Sequence, residues 1–105
     1  MADIRTEQAR RLLPDLRNNL DITWEDADLD TKLIGILCRG MAYLDMVGGG
    51  MQDYETEGLA KQMLFDYCRY ARSGALHDYR QNYSAEIIML RQRTEVLVYE
   101  TDNLP

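Results

Sequence analysis

The residues of this chain that could do chemistry are few and widely spaced. "DITWEDADLD", Asp21 to Asp30, gathers five carboxylates in ten positions. Such a run raises the question of a hard cation. A calcium loop of the helix–loop–helix kind needs a central glycine and a glutamate at its twelfth position, and neither is present. Acidic residues just before a helix have another use: they cap its open N–H groups and complement its dipole. The run therefore reads as a helix-capping segment, with no metal and no cofactor. Cys38 and Cys68 are the only cysteines, 30 positions apart, each inside an apolar pattern. They read as two buried free thiols, since cysteine packs as a small hydrophobe. One histidine, His77, stands in a polar stretch with no orienting partner for a base. "GGG", Gly48 to Gly50, follows an apolar helix, whereas a phosphate loop precedes its helix. No nucleophile–base set emerges, so the chain does not read as an enzyme.

The elements that carry these residues are helical. Leu12, Leu16 and Leu20 fall four apart in a first helix from about Thr6 to Leu20. Thr6 can cap it, and Pro14 should kink or divide it. "DLDTKLIGILCRGMAYLDMVGGG" gives the longest stripe: Leu29, Leu33, Ile36, Leu37, Gly40, Leu44 and Val47. Its internal Gly35 and Gly40 cost helix propensity, which close approach of another helix would offset. The triple glycine closes it by admitting a left-handed cap. "MQDYETEG" is a polar loop. A third helix spans roughly Thr56 to Arg72, facing inward with Leu59 or Ala60, Met63, Leu64, Tyr67 and Ala71. Ser73-Gly74 ends it. A fourth spans about Tyr79 to Glu95, with Asp78 and Gln81 as a capping box. Ser84 offers a second cap, so this helix can start in two steps. Tyr83, Ile87, Leu90 and Leu97 share one of its faces, widened by Ile88 and Met89. The tail "EVLVYETDNLP" is either a β-favouring extended segment or more helix, with a mobile end beyond Tyr99. The fold class is therefore all-α: a small bundle of about four helices, a kinked N-terminal helix and an extended or helical C-terminal tail.

Bulk properties set the limits. The 105 residues fit one domain, 46% hydrophobic and 29% charged. No apolar run approaches the roughly 20 residues of a membrane span, and Met1 to Arg11 lacks the apolar core of a secretory leader. The expected site of assembly is the cytoplasm. A net charge of −6 argues against holding a nucleic-acid backbone. Ten of the twelve basic residues are arginine, which suits bidentate interface contacts. Among the seven tyrosines, those inside the stripes, such as Tyr67 and Tyr83, read as core. Those outside suit contact surfaces.

The order of segments adds a resemblance. An acidic entry leads to a long helix ending in glycine, through Asp28, Leu33, Ile34, Ala42 and Gly48. A second helix follows with Leu59, Ala60, Lys61, Gln62 and Tyr67, then a third with Tyr83, Glu86, Leu90 and Arg91. From about Thr23 to Val96 this succession resembles the tailed-phage head–tail connector (adaptor) family. The tail after Val96 is shorter than the family's usual C-terminal arm. The resemblance implies a structural virion protein at the head–tail interface, assembled in the host bacterial cytoplasm. Residues 1–95 would be a single helical connector domain and 96–105 a C-terminal tail. It implies a ring of copies, a dodecamer, beneath the portal protein. The ring would extend the DNA channel and dock the next head-completion or tail protein, with DNA passing through unbound and no membrane involved. On that reading Trp24, Tyr79, Arg80, Arg91, Val96, Val98 and Tyr99 are candidates for subunit or portal contacts. Glu25, Asp26 and Asp28 are candidates for an acidic channel wall, which would repel DNA and let it slide. The rival is a small acidic helical regulator that binds a single partner protein. A helix-turn-helix DNA reader, drawing on Arg80, Arg91 and Arg93, is disfavoured by the acid-rich remainder.

Overall fold

The computed structural model describes residues 4–102, with side chains through residue 100. Five helices follow one another: α1 (Ile4–Asn19), α2 (Ala27–Gly48), α3 (Leu59–Arg72), α4 (Leu76–Asn82) and α5 (Ser84–Asp102). No strand occurs among the described residues. α2 is the central post, with α1, α3 and α5 packed against it.

Each helix forms where the apolar spacing requires it, and the polar groups between decide where it stops. α1 buries Ala9, Leu12 and Leu16 on one side. It runs unbroken through Pro14, which lies on the exposed side, so the chain is not divided there. Thr6 lies inside this helix rather than at its cap. α1 closes with Ile22 N–H donating to the Arg17 carbonyl at 2.9 Å and Asp21 N–H to the Asn18 carbonyl at 3.2 Å. Asp21 takes the left-handed conformation this closure needs, at φ 59°. A short polar side chain tolerates that region better than a branched one. α2 starts on Asp26, whose carboxylate accepts from the Asp28 and Leu29 N–H groups, both at 3.1 Å. The acidic run therefore caps a helix, as its position before the stripe suggested. α2 closes in the same manner as α1, with Gly49 left-handed at φ 83° and Gly50 N–H on the Asp45 carbonyl.

α1 and α2 are antiparallel. Arg5 meets Asp45 at 2.7 Å at one end, and Arg17 meets Asp30 at 2.5 Å at the other. Gly40 is where α2 and α3 touch. A Cβ there would stand 2.7 Å from Leu64 Cδ1 and 2.8 Å from Tyr67 Cδ1. The expected close approach is thus real at Gly40. At Gly35 a Cβ would meet only the Arg39 guanidinium, at 3.3 Å, so the same explanation fails there.

α3 begins at Leu59, three residues later than its apolar pattern suggests. Asp53 accepts from the Glu55 and Thr56 N–H groups, which shapes the preceding segment into a turn. The Thr56 hydroxyl and these backbone donors hold the Asp53 carboxyl below its ordinary range. Tyr54 from that polar loop is fully buried. Its hydroxyl donates within reach of Asp45 Oδ1 (2.7 Å) and the Met41 carbonyl (3.2 Å). A tyrosine outside every stripe is therefore core, not contact surface. Lys61 is also buried along its stem, its ammonium donating to Glu57 and Asp15 and linking α3 to α1.

The last part of the chain divides into α4 and α5, the two-step start. Asp78 lies inside α4 and does not cap it. Tyr79 is the hub of an aromatic cluster. It stacks on Tyr83 at 4.5 Å and meets Tyr43, Tyr67 and Tyr70 edge-on. Its hydroxyl donates to the Met63 carbonyl at 2.7 Å. These rings hold the short α4 on α3, which seven residues of helix would not do alone. α5 is anchored by Leu90 and by Thr94, whose hydroxyl meets Gln52 Nε2 at 2.9 Å. Beyond Thr94 it continues as helix to Asp102, so the tail is helical over the described residues.

Candidate functional site

Two exposed surfaces stand out, one at each end of α2. Twenty-two residues of helix separate them by about 33 Å. At the start of α2, Trp24 is 52% exposed beside Glu25, Asp26 and Asp28. Ile22 anchors the loop in the core, and the Arg17 guanidinium donates to the Trp24 carbonyl while it pairs with Asp30. The indole is thus presented outward by a fixed backbone. Glu25, Asp26 and Asp28 are all exposed, and Asp26 also spends a carboxylate oxygen on the helix cap.

The second surface is the distal part of α5. Val96, Leu97, Val98 and Tyr99 are 54%, 63%, 54% and 69% exposed. Four consecutive apolar residues occupy every side of a helix, so a single underlying face cannot cover them all. Leu97, expected on the inner face with Leu90, is largely exposed and borders an open groove rather than the core. Ile88 and Met89 are also exposed, on the outer side of the anchored part. Between α5 and the 49–60 segment runs an open groove of about 540 Å³, with Met51, Leu59, Leu90 and Val98 in its wall. Asp53, Glu57 and Arg93 stand along it.

The residues named from sequence separate as follows. Trp24 lies at the first surface, and Val96, Val98 and Tyr99 at the second. Arg80 and Arg91 are exposed on α4 and α5. Tyr79 is a correction: it is 1% exposed and buried in its own subunit, because its ring is needed to seat α4. Sequence reasoning missed Leu97, Met51 and the outer face of α5. The uniform apolarity of residues 96–99 was the available signal for the first.

The chemical inventory is otherwise quiet. Among the described residues no three His, Cys, Asp or Glu side chains converge as a metal site would need. His77 is in the first turn of α4, not a loop, with its imidazole in solvent near Asp78 at 3.5 Å. Cys68 is buried and Cys38 half-buried, and both are free thiols. Burial pushes the Cys68 thiol up to about 12, so it is held protonated and unreactive. Burial likewise raises the Tyr54, Tyr67, Tyr79 and Tyr83 phenols. None of the described helices is long and apolar enough to cross a membrane. No family model, curated protein or solved structure matches the chain.

Proposed function

We propose that this protein is a structural component of a phage virion: a head–tail connector that forms a ring, a dodecamer, under the portal protein. The ring extends the DNA channel and docks the next head-completion or tail protein. The observation that carries this reading is the projecting end of α5, apolar on every side and more than half exposed from Val96 to Tyr99. A monomeric protein that works alone gains nothing from such an element, which marks a contact with another protein. Two further features support it. A ring closed by rotation needs two different faces on each subunit. The Trp24 surface and the α5 surface differ in chemistry and lie at opposite ends of α2. The sequence resemblance to connectors, from about Thr23 to Val96, also supports the reading. Glu25, Asp26 and Asp28 would line the channel, where carboxylates repel the DNA phosphates.

The test is sedimentation of the purified protein with DNA-filled, tailless heads of the parent phage. The expected result is saturable binding of about a dozen copies per head. Deleting Glu95 to Pro105 leaves Thr94 and Leu90 in place and should weaken attachment while sparing the fold. Absence of co-sedimentation at saturating protein, or normal attachment by the truncated chain, would overturn the proposal. The first of these outcomes would favour the single-partner regulator.

A further inference from the structure

The groove beside α5 is bridged by Gln52. Its side-chain Nε2 carries two protons and spends both, one on the Gly50 carbonyl and one on Thr94 Oγ1, each at 2.9 Å. The Thr94 hydroxyl gives its own proton to the Leu90 carbonyl, one turn back, at 3.1 Å. Thr94 therefore meets Gln52 as an acceptor, and position 52 has to supply the donor. The backbone of Gln52 is fixed in turn. Its N–H donates to Asp45 Oδ1 at 3.0 Å, and its carbonyl accepts from Arg5 at 3.4 Å. Asp45 is itself held by Arg5 and by the Tyr54 hydroxyl. Gly48, the last residue of α2, makes room for the bridge. A Cβ there would stand 2.8 Å from Gln52 Nε2 and 3.0 Å from Leu90 Cδ2. Apolar packing does not hold the distal part of α5 in the same way. The groove walls stay apart, and Met51, Leu97 and Val98 are all more than half exposed.

We propose that Gln52 is the positioning residue of the α5 arm: its side-chain amide sets the angle at which the segment beyond Leu90 leaves the bundle. The contacts run from Arg5 and Asp45 through Gln52 to Thr94, so the ion pair that joins α1 to α2 is linked to the direction of the arm. Leu90 is the pivot, as the last buried residue of α5, and Thr94 is the last half-buried one. From Leu90 to Tyr99 the arm is about 14 Å long. Crossing angles of packed helices vary by about 15–20°, so release at Thr94 displaces the tip by about 4–5 Å. A contact surface displaced that far no longer matches its partner. This consequence rests on the reading of the arm as a contact element, whereas the angle itself is a property of the free protein and is measured there.

Pulsed electron paramagnetic resonance between nitroxides on Arg10→Cys in α1 and Val96→Cys on the arm reads the angle; both positions are exposed. The background carries Cys38→Ser, and the buried Cys68 stays unlabelled. Gln52→Glu keeps the shape of the side chain but presents oxygen where Thr94 and the Gly50 carbonyl need a donor. At neutral pH it should shift or broaden the distance distribution by about 4–5 Å, with an unchanged far-ultraviolet spectrum. Thr94→Val, which lacks the acceptor, should lower the ratio of seated to released arm roughly two- to twelvefold, the worth of one neutral hydrogen bond. Gly48→Ala should act in the same direction by crowding the amide. Thr94→Ser keeps the oxygen and should keep the parent distance. Parent distances in Gln52→Glu and Thr94→Val, or a displacement in Thr94→Ser equal to that in Thr94→Val, would overturn the inference. Failure to bind heads while the distances move as expected would overturn the connector reading and leave this inference standing.

Discussion

Gly35 and Gly40 sit five residues apart on α2, and replacing each by alanine should move stability in opposite directions. Alanine is favoured over glycine in a helix interior by about 1 kcal/mol, and both sites gain that. At Gly35 the new methyl meets only the far end of the Arg39 side chain, at 3.3 Å, which can swing away. Gly35→Ala should therefore stabilise by up to about 1 kcal/mol. At Gly40 the methyl stands 2.7 Å from Leu64 and 2.8 Å from Tyr67, against the roughly 3.5–4.0 Å of a good carbon–carbon contact. Neither neighbour has room to retreat. Leu64 is fully buried, and the Tyr67 ring is stacked on Tyr43 and edge-on to Tyr79. Forcing a methyl into a packed site costs about 1–3 kcal/mol, so the net effect of Gly40→Ala is a loss of up to about 2 kcal/mol. Urea titration monitored by tyrosine fluorescence and far-ultraviolet circular dichroism measures both. The midpoints should separate in opposite directions from that of the parent, with equal slopes. If Gly40→Ala is as stabilising as Gly35→Ala, the α2–α3 crossing is not as close as described.

Other perturbations test other parts of the structure. Tyr54→Phe removes the hydroxyl shared by Asp45 and the Met41 carbonyl and should cost about 1–2 kcal/mol in the same titration. No loss would mean that the 51–58 segment is not docked. Alkaline unfolding should be steep. Cys68 has its pKa raised from an ordinary value near 9 to about 12, so its protonated form is favoured by the fold. Its contribution is complete below pH 9 and is lost as pH rises toward 12, at about 1.4 kcal/mol per pH unit. Tyr54 and Tyr79, raised from 10, should add similar slopes above pH 10. Stability measured from pH 7 to 11 should be flat and then fall; a fall beginning well below pH 9 would contradict the burial of these groups. At pH 8 Cys68 should react with a thiol reagent only at the rate of unfolding, and prompt labelling of Cys68 in the native protein would contradict its burial.

The local rules written into the chain carried a good part of this protein. The 3.6-residue spacing of leucines made α2 and the inner faces of α1 and α3 legible, because a helix that buries one stripe must repeat it. The caps at Asp26 and Gly49 were legible too, since they depend only on neighbours a few residues away. Pairwise placement was not. Tyr54 and Tyr79 lie outside any stripe, and their burial depends on a carboxylate on α2 and a carbonyl on α3 that the chain brings back from elsewhere. Asp21 in a left-handed cap shows that a turn can close without glycine when the residue after it, Ile22, is pulled into the core. The candidate surfaces divide in the same way. An apolar run such as Val96 to Tyr99 is plain in the sequence, but the sequence does not say where the bundle stops covering α5. Only the packing of Leu90 and Thr94 decides that, and with it which residues are left to meet another protein.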